Sequence, residues 1–239
     1  MRSIALVIIA VVISLLSIWI PNRAIAGGIE QQVCDVGADY SLGVEDYAET
    51  IRRHLEIVRN HPDNALAHYH LGFALGMIGD RLAEIREYRR AETLGLTSWD
   101  LFLNLGLAQL EKGDLDAATE SLRHAVVLGG DHSESHFNLA LVDERRGMLA
   151  DAEHETLEAQ RLDPGQPDAR NLLGVVYAQE GNTASASLIW SELVRDAPDY
   201  EPARRNLAIL GSPSEVANGE TAAVNLPHAA AVDAITDER

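Results

Sequence analysis

Hydrophobic and polar positions divide the chain into three stretches. Ile4 to Ile20 forms an apolar run free of charge, after the short basic start Met1-Arg2-Ser3. From about residue 45 to 210, apolar residues recur at helical spacing in segments separated by Gly, Asp, Asn, Ser or Pro. Beyond Gly211-Ser212-Pro213 the chain is alanine-rich, with five acids against Arg239. The pattern predicts helices throughout the middle stretch and a flexible tail over 211–239. Val44–Asn60 reads as a lone helix stopped by Pro62, because residues 31–43 show no helical period.

The helical stretch repeats itself. Leu71-Gly72, Leu105-Gly106, Leu139-Ala140, Leu173-Gly174 and Leu207-Ala208 recur every 34 residues. Gly79, Gly113, Gly147 and Gly181 keep the same interval, as do Ala118, Ala152 and Ala186, and Ala91, Ala125 and Ala159; Pro62, Pro164 and Pro198 fall on it too. Each mark has a physical reason. A large leucine beside Gly or Ala suits a core where two antiparallel helices approach closely. The glycine eight residues later ends the first helix in a left-handed conformation, and Asp80, Asp114 and Asn182 then stand ready to cap the second.

On these marks the chain resembles the tetratricopeptide repeat family over about residues 45–210. The resemblance implies an all-α fold, a right-handed α-solenoid of stacked antiparallel helix pairs. It divides the chain into an unrepeated segment 27–43, a capping half-repeat 44–64, repeats 65–98, 99–132, 133–166 and 167–200, and a capping helix 201–210. Glu84 stands where the family has a small alanine, which predicts looser or shifted packing in the first repeat. Leu96 and Gly130 replace the closing proline, which leaves those two turns open.

Composition narrows the function. A net charge of -18, from 19 Lys+Arg against 37 Asp+Glu, argues against nucleic acid, which needs a basic stripe. Pro21 and Ala24-Ile25-Ala26 after the apolar run read as a signal peptide over 1–26, cleaved to leave Gly27. Cleavage removes Arg2 and Arg23 and no acid, taking the charge to -20. Export to a periplasm is the expectation, with membrane contact only through an uncleaved leader. The single cysteine, Cys34, excludes an internal disulfide and a Cys-rich zinc site. His132 and His136, and His68 and His70, lack a third ligand at fixed spacing. No phosphate-binding glycine loop, nucleophile elbow or His-Glu-x-x-His helix occurs. The chain reads as a non-enzyme without metal or cofactor.

In the family it resembles, first helices line a concave, ligand-binding face. The fifth and ninth residues of each first helix share a side: Tyr69 and Phe73, Leu103 and Leu107, Phe137 and Leu141, Asn171 and Val175, Arg205 and Ile209. Their apolar first half suits an apolar or amphipathic peptide segment. Two other readings stay open: ordinary packing between first helices, or a groove filled by Val33, Val36, Tyr40 and Leu42 of the chain itself. Asn104, Asn138 and Asn206, at the sixth position, read as donors to a peptide backbone. A clamp for a C-terminal carboxylate, known in this family, is excluded by Glu134 in its place. The leading reading is an exported scaffold for an envelope or secretion complex. A holdase for unfolded chains is one alternative. The other is a noncatalytic enzyme subunit docking through a convex face at Leu188, Ile189 and Trp190.

Overall fold

The computed structural model describes residues 36–211, and every element in them is an α-helix. The leader 1–26, residues 27–35 with Cys34, and the tail from 212 lie outside the described residues. No helix among the described residues is long and apolar enough to cross a membrane.

The helices are α1 (Val36–Gly43), α2 (Tyr47–Asn60), α3 (Ala65–Met77), α4 (Arg81–Thr93), α5 (Trp99–Lys112) and α6 (Leu115–Leu128). They continue as α7 (Ser133–Arg145), α8 (Leu149–Leu162), α9 (Pro167–Gln179), α10 (Thr183–Asp196) and α11 (Glu201–Leu210). Each packs against the next in sequence, and α3, α5, α7 and α9 also touch one another in turn. The described residues form an all-helical solenoid of stacked pairs.

Local chemistry sets the helix ends. Asp46, Asn64, Asp80, Asp114 and Asn182 accept the backbone N–H three residues on, each satisfying a donor the first turn leaves orphaned. A cap of this kind contributes about 1 kcal/mol. Gly79, Gly113, Gly147 and Gly181 adopt φ of 84°, 84°, 72° and 81°, turning each first helix into its second.

The Leu-Gly mark works by close approach. A side chain on Gly72, Gly106 or Gly174 would collide with Tyr88, Leu122 or Trp190 across the pair. In the third repeat the equivalent places hold Ala140 and Thr156, both fully buried. A smaller partner leaves room for the alanine methyl.

Three expectations meet the structure differently. Residues 36–43 are helical, so α2 is not a lone helix but the second of a pair. The buried faces of α1 use Ala38 and Ser41, small residues three apart, which a search for large apolar periodicity passes over. Glu84 is accommodated rather than loosening its repeat: it is 5% exposed, facing Gly76, where any side chain would strike its carboxyl. The two turns without proline diverge. Gly129 closes α6 on Ala125 O at 2.9 Å, just as Asp163 and Ala197 close α8 and α10 at 2.8 and 2.7 Å before their prolines. The turn after α4 instead uses Gly95 at φ 95°, with Leu96 N donating to Ala91 O at 3.1 Å.

Candidate functional site

A cleft of about 670 Å³ opens along the first three repeats. Tyr69 and Phe73 of α3 and Trp99 and Leu103 of α5 form its apolar side, with the Asn104 amide among them. Asp100, Asp131, Glu134 and Asp163 bring four carboxylates to it, with His132, Ser133 and Gln166 between them. The starts of α5, α7 and α9 therefore converge on one space.

Burial fixes who can meet a ligand. Leu103 is 4% exposed and lies at the base, whereas Tyr69, Phe73, Trp99 and Asn104 are half-buried. The Tyr69 hydroxyl donates to Asp100 Oδ2 at 3.0 Å and accepts from Asn104 Nδ2 at 3.0 Å. Burial first, and then the Asp100 charge, raise the Tyr69 phenol well above its ordinary range and keep it protonated. His132 stacks on Trp99 with ring centroids 3.8 Å apart, and a side chain on Gly129 would strike both rings. The aromatic wall is thus held in place from behind.

The expected stripe is divided. Tyr69, Phe73, Leu103 and Asn104 meet in the cleft, while Leu107 is half-buried and packs against the core. Phe137, Leu141, Asn138 and Asn171 are 8%, 7%, 6% and 0% exposed, covered by neighbouring helices. Here ordinary packing between first helices prevails. Arg205 is exposed and pairs with Glu201 on its own helix at 3.3 Å.

The asparagines are likewise spent within the chain. Asn104 donates to Tyr69, Asn138 to Glu134 O at 2.9 Å, and Asn206 to Asn171 Oδ1 at 2.9 Å. Asn104 and Asn206 each reach the fifth residue of the preceding first helix, whereas Asn138 turns back on its own helix; all three bonds occupy donors assigned from sequence to a peptide. Leu42 belongs to α1, which packs on α2 and takes no part in the cleft; Val33 lies outside the described residues.

Sequence counting missed Trp99, Asp100, Asp131 and Asp163 because it followed the fifth, sixth and ninth positions, and it weighed Glu134 only against a carboxylate clamp. A signal was present: Asp100, Glu134 and Asp168 recur at 34 as the second residue of successive first helices.

Two of the histidines meet a carboxylate of the second helix in their own repeat. His68 Nδ1 lies 2.7 Å from Glu87 Oε2, and His136 Nδ1 lies 2.7 Å from Glu155 Oε2, two repeats on. Among the described residues no group of three His, Cys, Asp or Glu is placed to hold a metal ion. On the outer candidates, Leu188 is exposed and Trp190 is 2% exposed in the core.

A tetratricopeptide-repeat family model matches residues 103–167 and 137–202. The fold is similar to that of YrrB, described as a repeat protein of this kind with an unusual peptide-binding site. That likeness has a TM-score of 0.67 at 23% identity, over 70% of this chain and 87% of YrrB. MamA from Desulfovibrio magneticus RS-1 has a TM-score of 0.63 at 17% identity, over 66% of this chain and 89% of its own. A repeat protein from Parabacteroides merdae ATCC 43184 has a TM-score of 0.66 at 15% identity, over 73% of this chain and 69% of its own. No curated protein sequence matches the chain closely.

Proposed function

From the premise that this is a tetratricopeptide-repeat protein, a scaffold for protein–protein interaction, we propose that it binds an amphipathic segment of a partner protein in the cleft. The observation that carries this reading is the cleft itself, with half-buried Tyr69, Phe73 and Trp99 open beside ionic groups. Aromatic surface left accessible next to polar anchors is what a peptide segment buries for affinity while its backbone stays hydrated. The described peptide-binding site of YrrB supports the same use of such a stack.

The apolar run and Ala24-Ile25-Ala26 support export, so the proposed role is a non-enzymatic scaffold that helps assemble an envelope or secretion complex. The test is capture from the native envelope fraction with the wild type, Phe73→Ala and Trp99→Ala, each first checked for helical signal and melting. One partner held in fixed ratio by the wild type and lost from both variants is the expected result. The same partner retained by both variants overturns the cleft reading. Many partly unfolded clients would favour the holdase.

A further inference from the structure

We infer that the cleft selects a cationic amphipathic segment of another protein, taking lysine or arginine side chains against its carboxylates and apolar side chains against Phe73. This rests on the cleft being the protein-binding site and adds the chemistry of the partner.

Charge complementarity is the first ground. The cleft lining contains Asp100, Asp131, Glu134 and Asp163 and no lysine or arginine. Elsewhere arginines answer acids across helices, as in Arg146 with Asp116 at 2.9 Å and Arg170 with Asp196 at 3.1 Å. In the cleft no lysine or arginine takes that place, and His132 Nε2 lies 3.6 Å from Asp131 Oδ1. The Tyr69 phenol serves Asp100, and the Gly165 backbone N–H serves Asp163 Oδ1 at 3.0 Å. The last two bonds orient Asp100 and Asp163 without cancelling their charge. Low-dielectric walls around like charges focus the field into the opening, which attracts a counter-charged chain and repels an anionic one.

Hydrogen-bond polarity gives a second, independent ground. Gln166 lines the same cleft, and its Oε1 is enclosed without a hydrogen-bond partner among the described residues, so a ligand's donor meets it once the side chain turns toward the opening. An enclosed acceptor is costly until a donor reaches it, and ammonium and guanidinium groups are pure donors. Trp99 adds an aromatic surface beside these acids, a further attraction for a cation.

Once the leader 1–26 is cleaved as proposed above, charge also favours another chain over the remaining ends of this one. Residues 27–35 hold Glu30 and Asp35 with no basic side chain, and residues 212–239 hold five acids with Arg239. Both segments carry the sign that the cleft repels.

The test uses the full-length protein and three fluorescent peptides in which leucine alternates with lysine, glutamine or glutamate. Two variants carry the same change in net charge: Asp131→Lys/Asp163→Lys in the cleft, and Glu120→Lys/Asp151→Lys on exposed second-helix positions. The leucine–lysine peptide is expected to bind the wild type best and to lose tenfold or more in affinity on the cleft variant. On the control variant the loss stays under twofold, and binding to the wild type weakens from about 50 to about 300 mM salt. Equal losses on both variants overturn the proposal, since net charge alone would then be read. A leucine–glutamine peptide bound equally tightly and lost in Phe73→Ala overturns charge selection but leaves the cleft reading standing. Failure of all three peptides to bind overturns both.

Discussion

The side-chain amide of Asn206 donates to Oδ1 of Asn171 at 2.9 Å, tying the closing helix α11 to the first helix of the last full repeat. Asn171 is fully buried and Asn206 is 6% exposed, so the bond is made inside the stack rather than on its surface. Ala203, fully buried, and half-buried Leu207 and Leu210 complete the seal over the core that includes Trp190 and Leu193. A repeat stack is stabilised by its neighbour interfaces, and its last apolar face must be covered.

Deleting residues 201–239 is therefore expected to lower the melting temperature far more than deleting 212–239. The first deletion exposes the α9–α10 face and strands Asn171, while the second leaves that face covered. Thermal denaturation followed by circular dichroism measures both. Equal losses would mean that α11 is not the seal.

The pairing of small with large across each repeat makes a sharper prediction. Gly106→Ala would push a methyl into Leu122, and overpacking of this kind costs about 1–3 kcal/mol. The third repeat already holds the alternative solution, Ala140 with Thr156. The double variant Gly106→Ala/Leu122→Thr should accordingly be more stable than the sum of its two single changes predicts. A denaturant double-mutant cycle reads this directly, and strict additivity would contradict it.

Glu84 predicts a pH dependence. Burial pushes its carboxyl up from 4.5 to about 7, against the pull of the Arg81 guanidinium that it contacts. The folded chain thus holds a proton between these values that the unfolded chain releases. The contribution of Glu84 to stability is complete below about pH 4.5 and is lost as pH rises through about 7. Glu84→Gln keeps the shape without the charge, so its advantage over the wild type should be greater at pH 8 than at pH 5, by about 3 °C or more in melting temperature. A difference that is the same at both pH values would place the cost elsewhere.

How much of this was legible in the sequence depends on what kind of signal each feature leaves. The 34-residue marks located the helix pairs of the four repeats because Gly113, Leu105 and Ala118 each answer a backbone or packing need that recurs identically. Helix α1 left no such mark, since Ala38 and Ser41 bury little surface and carry no apolar period. The candidate cleft was half legible. Helical spacing selected Tyr69, Phe73, Leu103 and Asn104, but spacing alone cannot tell an open stripe from a covered one. Whether Phe137 faces ligand or core depends on neighbouring helices that the local pattern does not contain. The carboxylates were hidden for another reason: acids at helix starts complement the macrodipole wherever they occur, so their convergence on one cleft shows only in three dimensions.

The two phenylalanines therefore separate binding from stability. Phe73 is half-buried in the cleft, whereas Phe137, two repeats away in the expected stripe, is 8% exposed and belongs to the core that includes Leu172 and Val142. Phe137→Ala removes a packed ring and leaves a cavity, which costs about 3–5 kcal/mol of folding free energy. Phe73→Ala removes a ring that is partly in water already, so its folding cost is smaller and its effect falls on the ligand. Burying the ring against a partner contributes on the order of 1.5–3 kcal/mol, so affinity should fall roughly tenfold or more. Calorimetric binding of the captured partner's segment, alongside denaturant unfolding, checks both. The expected result is a folded Phe73→Ala chain that binds weakly and a Phe137→Ala chain that melts early. A folded Phe73→Ala chain with undiminished affinity would remove the cleft from consideration and turn attention to the exposed outer positions around Leu188.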